Sequence, residues 1–131
     1  MPGRRILLAL LVIPLAACGN PVHSHYSVKQ TAPCLSKLGY EVSTDTSKMG
    51  PVEASATEGA LTAKERGNAV RITFSADASE ANNIGDAYKR FSSPKRRKHI
   101  GDVMSMQHNV VLIWTITPPK DELDRVLGCL R

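Results

Sequence analysis

The spacing of apolar residues changes several times along the chain, and each change marks an element. Val70, Ile72 and Phe74 alternate with Arg71, Thr73 and Ser75, the period of two that turns one face of a strand into a core. Residues 40–44 alternate in the same way over a shorter run. Residues 60–64 predict an edge strand, turning at Arg66, Gly67 and Asn68. Ala81, Ile84, Tyr88 and Phe91 recur instead at intervals of three and four, the face of a helix over residues 78–91, with Asp77 and Glu80 spaced as a capping box at its start. Leu123, Val126, Leu127 and Leu130 repeat at i, i+3, i+4 and i+7 in a last helix, which Thr117 can cap with Pro118 in its first turn.

Between these elements the pattern is shorter. Pro33 in a first-turn position, Leu35 and Leu38 at helical spacing and Gly39 as a stop predict a helix over residues 33–38. Residues 45–58 are rich in Ser, Thr, Gly and Pro and predict a loop. Residues 103–106 and 110–117 predict two strands joined by a turn at Gln107, His108 and Asn109. Val110 to Trp114 is apolar on both faces, as in a central strand, and places Trp114 in the core. The order favours an α+β fold, a two-layer sandwich with helices on one face of a small, mainly antiparallel sheet.

The start of the chain follows a different logic. Arg4 and Arg5 precede an apolar run of about ten residues, about half the roughly twenty that a helix needs to cross a bilayer. Leu15, Ala16, Ala17 and Cys18 end the run, and this segment resembles the lipobox signal peptide of bacterial lipoproteins. The resemblance covers only the first eighteen residues. It implies removal of residues 1–17 and transfer of a diacylglyceryl group to the thiol of Cys18, with further acylation at the new amino terminus. Two or three acyl chains give stable anchoring where one is marginal. The expected place is therefore the extracytoplasmic side of the cell membrane or outer membrane, and Gly19 after the cysteine leaves sorting to the outer membrane open. An ordinary secretory signal cut after Ala17 fits the same small residues. A twin-arginine signal is a lesser alternative for Arg4 and Arg5.

Removing residues 1–17 from the 131-residue chain leaves enough for one domain. Residues 18–29 predict a lipidated tether and residues 30–131 a single domain. Export places Cys34 and Cys129 in an oxidising compartment, where their pairing would staple the first helix to the last.

The chain carries a net charge of +5, which falls to +3 when Arg4 and Arg5 leave. Six basic residues, Lys89, Arg90, Lys95, Arg96, Arg97 and Lys98, fall within ten positions, four of them in an expected exposed loop over residues 95–99. Such a patch suits anionic phospholipid head groups, an anionic envelope polymer or an acidic protein, at roughly 1 kcal/mol per basic residue beside a charged bilayer. It equally suits a solvated face that blocks aggregation. Export and the lack of interleaved aromatics argue against nucleic acid.

Metal and catalytic signatures are weak. His23 and His25 form an HxH without a third ligand nearby, and Met104, Met106 and His108 share one face if all three lie on a strand. Asp102 and His108 could form a dyad, but no nucleophile accompanies them. Nucleophile elbow, HExxH and phosphate-cradling glycine loop are all missing. Asp121, Glu122 and Asp124 suit the positive end of a helix dipole without further chemistry. The expectation is a non-catalytic envelope binding or interaction module without a metal or cofactor; the alternative is a small-molecule or metal-binding lipoprotein.

Overall fold

A computed structural model describes residues 25–131. Cys18, His23 and the predicted signal lie outside them. Five strands form one antiparallel sheet in the order β1-β2-β3-β5-β4: β1 Glu41–Ser43, β2 Ala60–Glu65, β3 Asn68–Phe74, β4 Met104–Gln107 and β5 Val110–Trp114. Register follows the two tight hairpins. Arg66 and Gly67 both take positive φ, the mirror-image turn whose twist matches the strands it joins, and Glu65 pairs with Asn68. His108 does the same between β4 and β5, where Gln107 pairs with Val110.

The α+β class, the antiparallel sheet and the bond between Cys34 and Cys129 are as expected; the layering is not. Helices cover both faces of the sheet. On one face α1 (Val28–Lys37) and α6 (Lys120–Leu127) pack Leu35 and Val126 against Val70, Ile72, Phe74, Leu112 and Trp114. On the other, α3 (Ala78–Phe91) packs Ala81, Ile84 and Tyr88 against Val111 and Ile113. The cause lies in β5, whose five residues are all buried. A strand apolar on both sides needs cover on both sides, which one helical layer cannot give.

The terminal helices are joined by the disulfide, with the two Cα atoms 5.4 Å apart; Cys129 lies just past the end of α6. Helix α1 begins five residues before the expected start, so residues 25–29 belong to the domain instead of the tether. The Ser27 hydroxyl accepts the Gln30 amide as an N-cap, and buried Thr31 adds a turn to the core face. The hydroxyl of Thr31 donates to the Arg131 carbonyl and accepts from the Arg131 amide, and the Ser27 amide donates to the same carbonyl. Arg131 thus closes on α1.

Other boundaries shift for local reasons. The expected loop over residues 45–58 contains a 3-10 turn, Thr46–Lys48, and the short helix α2, Pro51–Ala54, started by proline at its first position. The basic loop is itself helical, α4 (Pro94–Arg97), followed by α5 (Ile100–Val103). The last strand stops at Trp114 and α6 begins after Pro119, so Thr117 does not cap it. Asp77 does cap α3, accepting from the Glu80 amide, while Glu80 accepts from the Ala76 amide and from Thr57. Gly85 brings α3 down onto β4: a Cβ there would stand 3.1 Å from the Met106 sulfur.

Candidate functional site

The sheet has two distinct ends. At one, β2 starts, β3 finishes, the β4–β5 turn folds over and α3 begins. The chain enters the domain here. The Tyr26 amide donates to Oδ1 of buried Asn109, and Nδ2 of Asn109 donates to the carbonyls of Tyr26 and Ser75. His25 Nε2 meets Glu58 at 2.6 Å, and the Tyr26 ring stands edge-on to His108. At the other end, about 21 Å away along the fourteen residues of α3, lie the β2–β3 turn, the end of β5 and α4. The six basic residues of the cluster are all exposed at this far end.

Their roles divide. Arg97 closes the end of α3: its Nε donates to the Lys89 carbonyl and its Nη2 to those of Arg90 and Ser92. These are the acceptors that a helix end leaves open, and a guanidinium fork can reach several at once. Arg96 ties α4 to the sheet through Nη2 and the Trp114 carbonyl. Lys89 stands 3.9 Å from Asp86. Arg90, Lys95 and Lys98 have no acidic partner among the described residues and point their charge at solvent. The sequence groups the six as one patch; the structure gives two of them to holding the fold.

Beside this basic end is a cleft of about 590 Å³ between α2, the last turn of α3 and the start of α4. Its deepest charged group is Glu53, 2% exposed and bound at 3.0 Å by Nη1 of Arg71. Gly50 sits directly over the other carboxylate oxygen, 2.9 Å from where a Cβ would lie. The Tyr88 hydroxyl is buried without a hydrogen-bond partner among the described residues, and burial together with the Glu53 charge pushes its pKa well above the usual phenol value. Phe91, at 71% exposure, stands at the mouth. It was expected on the buried face of α3, yet as the last residue of that helix it stands largely in solvent.

The remaining candidates separate. Met104 and Met106 lie under α3, but His108 sits in the turn with left-handed backbone and leaves their face. Asp102 faces His99 at 3.7 Å, not His108. Trp114 is buried as expected. Asp121, Glu122 and Asp124 lie on α6, with Lys120 paired to Asp124. Among the described residues no three His, Cys, Asp or Glu side chains converge as a metal site, and no helix is long and apolar enough to cross a membrane. Glu53, Arg71 and Tyr88 were missed, since nothing in their spacing links them. Comparison with protein-family models, curated proteins and solved structures finds no match to the chain.

Proposed function

We propose that the protein is an exported lipoprotein, anchored through Cys18, whose domain binds an anionic component of the cell envelope through Arg90, Lys95 and Lys98. The observation that carries this is the separation of the two ends. The chain enters beside Asn109, whereas the unpaired cations lie at the opposite end of α3. Cys18 lies seven positions before His25, a span of at most about 25 Å. An anchor on that side favours presenting the cations away from the bilayer. Of the anionic partners considered, an envelope polymer or acidic protein therefore fits better than the head groups of the protein's own membrane.

Two measurements test this. In cells, Cys18→Ser releases the protein from the membrane fraction and blocks processing at the usual peptide bond; unchanged anchoring and processing refute the lipoprotein assignment. In vitro, full-length protein in neutral detergent is applied to immobilised dextran sulfate and, separately, to vesicles rich in phosphatidylglycerol. Retention on the polymer falls steeply with salt and is lost in the R90E/K95E/K98E variant. Equal retention of the variant on the polymer refutes the assignment of the partner surface, and vesicle retention that the R90E/K95E/K98E variant loses refutes the outward orientation, since the acyl chains insert into vesicles equally in both proteins.

A further inference from the structure

The accessible charges of the cleft have one sign. Glu53 is bound on one carboxylate oxygen by Arg71 and is only 2% exposed, so it is closed to a ligand. Arg71 spends one donor on that bond, and its side chain is 47% exposed. Arg96 spends one donor on the Trp114 carbonyl and is otherwise open. A guanidinium carries five N–H donors in a planar fork suited to carboxylate or phosphate. The Ser92 hydroxyl gives its proton to the Tyr88 carbonyl, whereas that of Ser93 accepts from the Arg96 amide and keeps its own proton to donate to an anion.

The apolar part of the cleft is equally one-sided. Phe91 is the most exposed large hydrophobic among the described residues, and it faces a cavity also walled by Pro51 and Ile113. A cavity of this size matches those that hold small organic ligands, which combine apolar walls with a few oriented polar groups.

We infer that this cleft is a binding site for a small organic anion, a carboxylate or phosphate carrying an apolar group of about ring size. The anion sits between Arg71 and Arg96, and the apolar group covers Phe91. Glu53 holds Arg71 in place from behind and does not touch the ligand. This site stands apart from the polymer-binding surface, because it uses Arg71, Arg96 and Phe91 rather than Arg90, Lys95 and Lys98.

Trp114 meets the cleft at its carbonyl, which Arg96 binds, while its indole packs with α1 and α6 on the other face of the sheet, so heat of binding is the readout. Titrating full-length protein in neutral detergent with 4-phenylbutyrate in a calorimeter gives a saturable heat at about millimolar concentration or below. Neutral 4-phenylbutyramide binds at least about tenfold more weakly, the worth of a charge-assisted hydrogen bond. Arg96→Gln and Phe91→Ser each weaken 4-phenylbutyrate by about tenfold, while Lys98→Gln changes it less than about twofold. Phe91 is exposed, so its variant keeps the test valid even if Arg96→Gln loosens α4. Phenyl phosphate and 4-phenylbutyrate run in parallel separate the two anion chemistries, and saturable binding of either supports the site. Absence of saturable binding for both, equal binding of acid and amide, or undiminished binding by the Phe91→Ser variant overturns it.

Discussion

Removing the disulfide tests how the closed ring of chain is stabilised. Cys34 and Cys129 are 95 positions apart, so in the chain-entropy model their bond lowers the entropy of the unfolded state by about 16 cal/mol/K, or about 4.7 kcal/mol at 25 °C. That is a large share of the roughly 5–15 kcal/mol by which domains are stable. The native geometry does not depend on the bond alone, since Ser27 and Thr31 hold Arg131 by three hydrogen bonds at the same junction. The Cys34→Ala, Cys129→Ala double variant is therefore expected to fold, to lose about 4 kcal/mol, and to melt on the order of 20 °C lower. Urea unfolding followed by circular dichroism gives both stability and its denaturant slope. The slope should rise, because an unlinked chain exposes more surface on unfolding. A loss below about 1 kcal/mol with an unchanged slope would refute the account, since it would mean that the bond does little to the unfolded chain.

Three further outcomes follow from the contacts. Asn109→Ala strips both backbone groups of Tyr26 of their partners and is expected to cost about 2–3 kcal/mol, with faster hydrogen exchange at the Tyr26 amide while α3 stays protected. Arg97→Ala uncaps the end of α3 and should lower stability by about 1 kcal/mol, with Arg97→Lys a poor substitute; thermal melts of the three proteins check this. Tyr40 is pushed up to about 12 from an ordinary 10.0, chiefly by burial and then by the Glu122 charge, and burial raises Tyr88 further. The folded protein therefore holds these protons to higher pH than the unfolded chain. Stability is full below about pH 10 and falls as pH rises beyond it, and Tyr40→Phe makes a urea midpoint series from pH 9 to 12 flatter.

Much of the sheet was legible because its signals are local. Alternation in β3, the Arg66–Gly67 and His108–Asn109 turns, and the Asp77 cap of α3 are each written in a few consecutive residues. The errors came where distant parts of the chain decide. Ser27 and Thr31 begin α1 because Arg131 receives them, a contact 100 residues apart that no local pattern contains. Phe91 shares the spacing of the buried face, yet as the last residue of α3 it is left exposed at the mouth of the cleft. The second helical layer was implied by the doubly apolar β5, but which helix supplies it depends on where α3 crosses. The cleft is the extreme case, drawing Glu53, Arg71, Tyr88 and Arg96 from four different elements.

The double use of the basic cluster bears on how such a surface can be interpreted. A run of like charges is costly to gather unless something offsets the repulsion, and here the offset is partly structural: Arg97 rests on the negative end of the α3 dipole, and Arg96 rests on a β5 carbonyl. Those two contacts fix α4 against both α3 and the sheet. They hold Lys95 on α4 and Lys98 at its C-terminal cap, and set the wall of the cleft that Arg96 shares with Arg71. Cations held in this way lose little freedom on meeting an anion, so more of their attraction survives as affinity than for a flexible tail of equal charge. The same contacts tie the two proposed sites together: loosening Arg97 should blur the basic surface and the cleft at once, whereas replacing Lys95 or Lys98 should weaken the first and spare the second.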